Sequence, residues 1–126
     1  MTGVSDWKDE PDEHDFPAAA DYLSLLASPA TVAATVEALR KAPVVRRKAK
    51  DLLRASGLPV LGKDNVHVAK DLHRIKSGEK LSPVLIVRGD ATAGRPMLIA
   101  DGYHRVCASY HVTEDADIPC RLVDLA

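Results

Sequence analysis

The sequence predicts an α/β (α+β) protein: a small mixed sheet with packed helices, preceded by a short helical segment. Three observations predict this class. Between residues 17 and 56 apolar side chains recur three and four positions apart, which is a helical period. After residue 80 short β-branched runs replace that period, in Pro83-Val84-Leu85-Ile86-Val87 and Ile118-Pro119-Cys120-Arg121-Leu122-Val123. Between these runs, Pro96-Met97-Leu98-Ile99 leads through Ala100-Asp101-Gly102 into Tyr103-His104-Arg105-Val106-Cys107-Ala108. That stretch reads as strand, glycine turn and helix.

The totals bound the problem. A chain of 126 residues makes one compact domain, or one domain with an appendage. Apolar residues are 46% of the chain and aromatics 4%, so the core is built from Leu, Val, Ile and Ala. A net charge of −1 gives no global pull toward nucleic acid or membrane. Cys107 and Cys120 have no metal-ligand spacing. So sparse a use of cysteine fits a reduced, cytoplasmic protein, with a Cys107–Cys120 disulfide as the alternative. No apolar run approaches the roughly 20 residues of a membrane span. The acidic, polar N-terminus is unlike a signal peptide.

In chain order, residues 1–16 carry Asp6, Asp9, Glu10, Asp12, Glu13 and Asp15 against Lys8 alone. They are expected to form an acidic disordered tail, or an arm lying on the basic segment that follows. Residues 17–57 read as a helical subdomain. Its first helix is expected to bury Tyr22, Leu25 and Leu26. Ser28-Pro29 is an N-cap followed by proline at the first helical position, opening a helix with Val32, Val36 and Leu39 on one face. Pro43 ends that helix. A third helix is expected to place Val45, Ala49, Leu52 and Leu53 together and to stop at Ser56-Gly57. It is basic, and Arg46, Arg47, Lys50 and Arg54 are its candidate nucleic-acid contacts. The alternative is an ordinary solvated face. No aromatic residues interleave with the charges, which argues against single-strand stacking.

Residues 58–126 read as the α/β domain. Leu58-Pro59-Val60-Leu61 is expected to be a short buried strand. Asp64 or Asn65 caps a helix with Val68, Leu72 and Ile75 on its apolar face. The opposite face gathers His67, Lys70, Asp71 and Arg74 at positions i, i+3, i+4 and i+7. Pro83–Arg88 is uninterrupted and β-branched, as a central strand is. The turn-rich segment Gly89–Arg95 makes a hairpin with the strand before Asp101. In the last helix Val106, Cys107 and Tyr110 face inward. Pro119 puts the final strand at an edge, or itself near a strand start.

The 101–105 turn is the candidate site. Helix N-termini present free N–H groups and partial positive charge. His104 and Arg105 on the first helical turn add an imidazole and a guanidinium, which together suit a phosphate or carboxylate. Lys70 and Arg74 are placed to approach from the facing helix. Arg105 has a structural alternative, an ion pair with Asp101 or Asp124. Asp101 is either a carboxylate base or a turn residue capping the helix. Tyr103 either stacks on a ligand or is a half-buried surface phenol.

The order helix, strand, hairpin, Asp101-Gly102-Tyr103-His104-Arg105 turn and Ile118-Pro119 strand resembles the ParB N-terminal/sulfiredoxin superfamily, over residues 58–124. Members share a small α/β fold whose strand-turn-helix motif, ending in Arg, holds nucleotide phosphates. ParB proteins carry a Gly-Glu-Arg-Arg-type turn and bind CTP. Sulfiredoxins carry Gly-Gly-Cys-His-Arg and use ATP, and a free-serine kinase carries an Asp-Gly-His type. The resemblance implies a nucleoside triphosphate (CTP or ATP) with Mg²⁺, held by Gly102, Tyr103, His104 and Arg105, with Lys70 and Arg74 in support. It leaves open whether phosphoryl transfer or NTP hydrolysis follows. In a kinase-like reaction Asp101 is the one carboxylate of the turn itself.

The departures narrow this reading. Tyr103 stands where sulfiredoxin has its nucleophilic cysteine, and a phenol cannot replace a thiol in that chemistry. The DNA-reading and dimerisation domains of a ParB have no counterpart, so centromere binding is not implied. No carboxylate cluster has two-metal spacing, so no dedicated metal site is expected. The second function class is a non-catalytic module that binds nucleic acid or protein through residues 46–54.

Overall fold

A computed structural model describes residues 6–126 of the chain. Five helices and four strands follow in the order α1 (Asp15–Leu23), α2 (Pro29–Lys41), β1 (Val44–Lys48), α3 (Ala49–Ser56), α4 (Val66–Lys76), β2 (Val84–Val87), β3 (Leu98–Asp101), α5 (Tyr103–Val112) and β4 (Asp117–Val123). The strands form one mixed sheet in the order β1-β4-β2-β3. β2 runs antiparallel to β3 and parallel to β4, and β1 runs antiparallel to β4. The fold is the predicted small α+β sheet with packed helices.

β2 explains the layering. Its four residues are all buried, because they alternate between two cores. Val84 and Ile86 join Leu52, Leu53, Val68, Val106 and Ile118 on the face covered by α3, α4 and α5. Leu85 and Val87 join Phe16, Leu23, Val32 and Leu39 on the face covered by α1 and α2. A strand buried on both faces reads as an unbroken apolar run. The caps are those the sequence indicates. Ser28 Oγ accepts from Thr31 N at 3.4 Å, and Asn65 Oδ1 accepts from His67 N at 3.0 Å and Val68 N at 3.2 Å.

Four local expectations are corrected, and one pair of alternatives is decided. Val44–Lys48 is an edge strand and not helix. Pro43 and two β-branched valines favour extended backbone, and Arg46 pairs opposite Pro119 on β4. Arg46 and Arg47 therefore lie on β1, while Lys50 and Arg54 lie on α3. Leu58-Pro59-Val60-Leu61 forms no strand, and Leu58 and Val60 are exposed. The buried residues of α1 are Asp15, Phe16, Ala19 and Leu23. Tyr22, Leu25 and Leu26 are exposed, because the helix ends at Leu23 and their spacing runs past it. Of the two alternatives for Pro119 the second holds: β4 lies inside the sheet, and Pro119 is tolerated near its start because the ladder with β2 begins only at Cys120.

The fourth correction concerns the acidic tail. Trp7 forms a bridge with Leu81, and Lys8 N donates to Leu81 O at 2.8 Å. Trp7 packs against the α3–α5 core, and Phe16 is buried in the other. Two aromatic side chains thus anchor residues 7–16 to the fold, and the approach carries Asp15 into the interior.

Candidate functional site

The turn after β3 is fixed by Gly102. Its φ of +109° belongs to the left-handed region, where a side chain is strained. A Cβ there would collide with Val84 Cγ1 and stand 2.9 Å from Arg105 Nη2. No side chain caps α5, so its first-turn amides meet no side-chain acceptor. Asp101 is therefore not a cap, and its carboxylate serves Arg105.

α4 and α5 pack side by side, which brings the two predicted clusters together. His67, Lys70, Asp71 and Arg74 face Asp101, Gly102, His104 and Arg105 across a cavity of about 220 Å³. The cavity thus unites every expected phosphate-binding residue except Tyr103. The Tyr103 hydroxyl donates instead to Pro59 O at 2.5 Å, pinning the loop between α3 and α4. The His67 and His104 rings lie 4.7 Å apart at the cavity wall.

Arg105 is held by carboxylates. Its Nη2 lies 2.9 Å from Asp101 Oδ2 and 3.6 Å from Asp15 Oδ2, and 3.5 Å from Pro83 O. Its Nε is buried without a partner among the described residues. Of the two partners offered as alternatives for Arg105, Asp101 is the one it pairs with, whereas Asp124 lies 3.4 Å from Arg88. Arg74 is likewise paired, 3.3 Å from Asp71 and 2.9 Å from Glu79. Lys70 has no ion pair among the described residues.

Sequence reasoning missed Asp15. Its side chain is 3% exposed, accepts a short hydrogen bond from the Ser82 hydroxyl and flanks Arg105. Nothing in an acidic run marks one member for burial; only the neighbouring Phe16 hints at it. Beyond Arg74 and Arg105 a second cavity of about 420 Å³ is lined by Lys8, Asp12, His14, Glu79, Lys80 and Ser82. Asp12, His14 and Asp15 each bring a donor atom within 4.8 Å of the others. Lys8 already holds Asp12 at 2.7 Å, and Ser82 and Arg105 hold Asp15, so both carboxylates of this group are partnered within the protein.

Burial sets the electrostatics. It raises the Asp101 carboxyl above the ordinary range, Arg105 opposes that rise, and the neighbouring Asp15 adds to it. Burial also raises Asp71, against the pull of Arg105 and Arg74. It lowers His104, and the neighbouring His67 lowers it further. Cys107 is raised by burial and Cys120 is pushed up to about 11, so both are buried thiols without thiolate character.

These shifts give stability a pH slope. In the unfolded chain Asp101 and Asp71 ionise near 3.8. Between that value and their higher native values, the native state binds more protons. Stability therefore falls as pH rises through this window. The penalty is absent in acid and complete above the native values. Asp101→Asn removes one share, so its urea midpoint declines less than wild type from about pH 4 to neutrality. Parallel midpoint curves would contradict this assignment.

The residues expected to touch nucleic acid lie elsewhere. Lys50 Nζ pairs with Asp115 at 2.7 Å, and Arg47 Nη1 donates to Arg46 O at 3.0 Å. No protein-family model, curated protein or solved structure matches this chain. Among the described residues no helix is long and apolar enough to cross a membrane.

Proposed function

We propose that the cavity between α4 and the 101–105 turn binds the phosphates of a nucleoside triphosphate, CTP or ATP. The observation that carries this reading is convergence. Lys70 and Arg74 from one helix meet His104, Arg105 and the uncapped start of another in a single cavity. Cations and free amides together suit tetrahedral anions. A cavity of about 220 Å³ suits the phosphates, with the nucleoside lying outside it. This reading agrees with the ParB/sulfiredoxin resemblance of the turn.

Mg²⁺ enters as a companion of the phosphates. The carboxylates on the cavity wall, Asp71 and Asp101, each hold an arginine, so no protein ligand is assigned to it. When bound, it neutralises phosphate charge. Asp101 is the carboxylate of the turn itself and the group there that can take up a proton: from an acceptor hydroxyl in phosphoryl transfer, from water in hydrolysis, or from the buffer where the bound anion brings no such donor.

Calorimetric titration with CTP, ATP and GTP, with and without Mg²⁺, tests the binding step. One nucleotide should bind saturably. Lys70→Ala removes an exposed cation and should weaken it about tenfold without lowering the melting temperature. Unchanged affinity in Lys70→Ala contradicts the placement. A second reading is supported by Arg46, Arg47 and Arg54, which have no ion pair among the described residues. There β1 and α3 contact nucleic acid or an acidic protein, and steep salt dependence of nucleic-acid binding is the expected mark.

A further inference from the structure

We propose that anion binding in this cavity is coupled to proton uptake at Asp101, because Asp101 and the anion compete for one guanidinium. This rests on the phosphate reading above and adds a regulation that the reading does not require. Arg105 Nη2 is shared between Asp101 at 2.9 Å and Asp15 at 3.6 Å. The two carboxyl groups reach the guanidinium from different elements, the end of β3 and the start of α1. Both carboxyl groups thus crowd one guanidinium nitrogen, and two like charges placed around a single cation favour retention of a proton on one of them.

The surrounding charges determine the direction. From α4, Asp71 faces Arg105 and is held by Arg74, with Lys70 and His67 further along the wall. From α5 comes His104, beside His67. Ahead of α1, His14 Nε2 lies 3.4 Å from Asp15 Oδ1, and Asp12 is held by Lys8. Glu79 is held by Arg74. Arg105 lines the cavity beside Asp101, and Asp15, the other carboxyl of the pair, lies against the same guanidinium. A dianion that hydrogen-bonds Arg105 takes part of its charge from the pair and brings negative charge close to it. Both changes disfavour the ionised form of Asp101. A proton from the buffer then forms an O–H bond on Asp101. The protein takes up one anion and one proton, and no bond is broken.

The test is calorimetric titration with sulfate, a tetrahedral dianion that carries no proton of its own near neutrality. The titration is repeated at pH 7 in buffers of different ionisation enthalpy. The slope of apparent enthalpy against buffer enthalpy should report net proton uptake, at most one per sulfate. Asp101→Asn should reduce that slope to near zero and tighten sulfate about fivefold, since an amide does not compete for the guanidinium. His104→Gln should keep the slope, because the proton resides on Asp101. Asp15→Asn, whose amide oxygen still accepts from Ser82, should also reduce it.

A flat slope in the wild type, or a full slope in Asp101→Asn, overturns the proposal. Saturable binding with a flat slope leaves the phosphate reading intact and removes the coupling alone. Absence of saturable sulfate binding removes both. The wild-type slope decides even if a variant fails to fold.

Discussion

Gly102→Ala should lower the melting temperature by roughly 10 °C. A left-handed backbone costs about 1–2 kcal/mol for a residue with a Cβ. At φ +109° Ala gains no compensating hydrogen bond. The new Cβ also collides with Val84, which is fully buried at the start of β2 and cannot retreat. Overpacking of this kind adds about 1–3 kcal/mol. The cost falls at the turn that aims His104 and Arg105, so on the proposed reading phosphate binding is lost with it. Gly57→Ala is the control. Its φ is also positive, at +69°, but a Cβ there meets nothing within 4 Å. It should cost only the backbone share, about 1 kcal/mol. Equal melting temperatures for the two variants would show that Val84 does not confine the turn.

Arg105→Ala should be at least as damaging at neutral pH. It removes the cation that faces Asp15 and Asp101, whose side chains are 3% and 19% exposed. Stranding buried carboxylates costs about 3–5 kcal/mol. The loss has a pH signature. In acid a proton on Asp101 replaces the missing positive charge, so the gap between variant and wild type narrows as pH falls. Denaturation midpoints at neutral pH and near pH 4 measure it. A gap that stays constant with pH would mean that Arg105 contributes packing and not charge.

The sequence made the frame of this site legible for physical reasons that can be named. Val84 to Val87 is an uninterrupted apolar run because β2 is buried on both faces. Asn65 and Ser28 announce their helices because an N-cap satisfies amides locally. The spacing of His67, Lys70, Asp71 and Arg74 already puts them on one face, and the hairpin return delivers the turn opposite them. What stayed hidden depends on distant partners. β1 is basic and short, and it is a strand because β4 lies some 70 residues later in the chain, with Arg46 opposite Pro119. Asp15 looks like its acidic neighbours until Phe16 and Trp7 dock the segment and Ser82 meets it. Leu25 and Leu26 have a helical spacing, but no helix continues beneath them.

The central claim is that phosphate sits between α4 and the start of α5. Amide chemical-shift mapping during titration with pyrophosphate and Mg²⁺ tests it most directly. The phosphate reading requires saturable shifts at residues 102–106 and 67–74, together with the buried Nε–H of Arg105, which has no acceptor among the described residues. Shifts confined to Arg46, Arg47 and Arg54 on β1 and α3, or none at all, would contradict it.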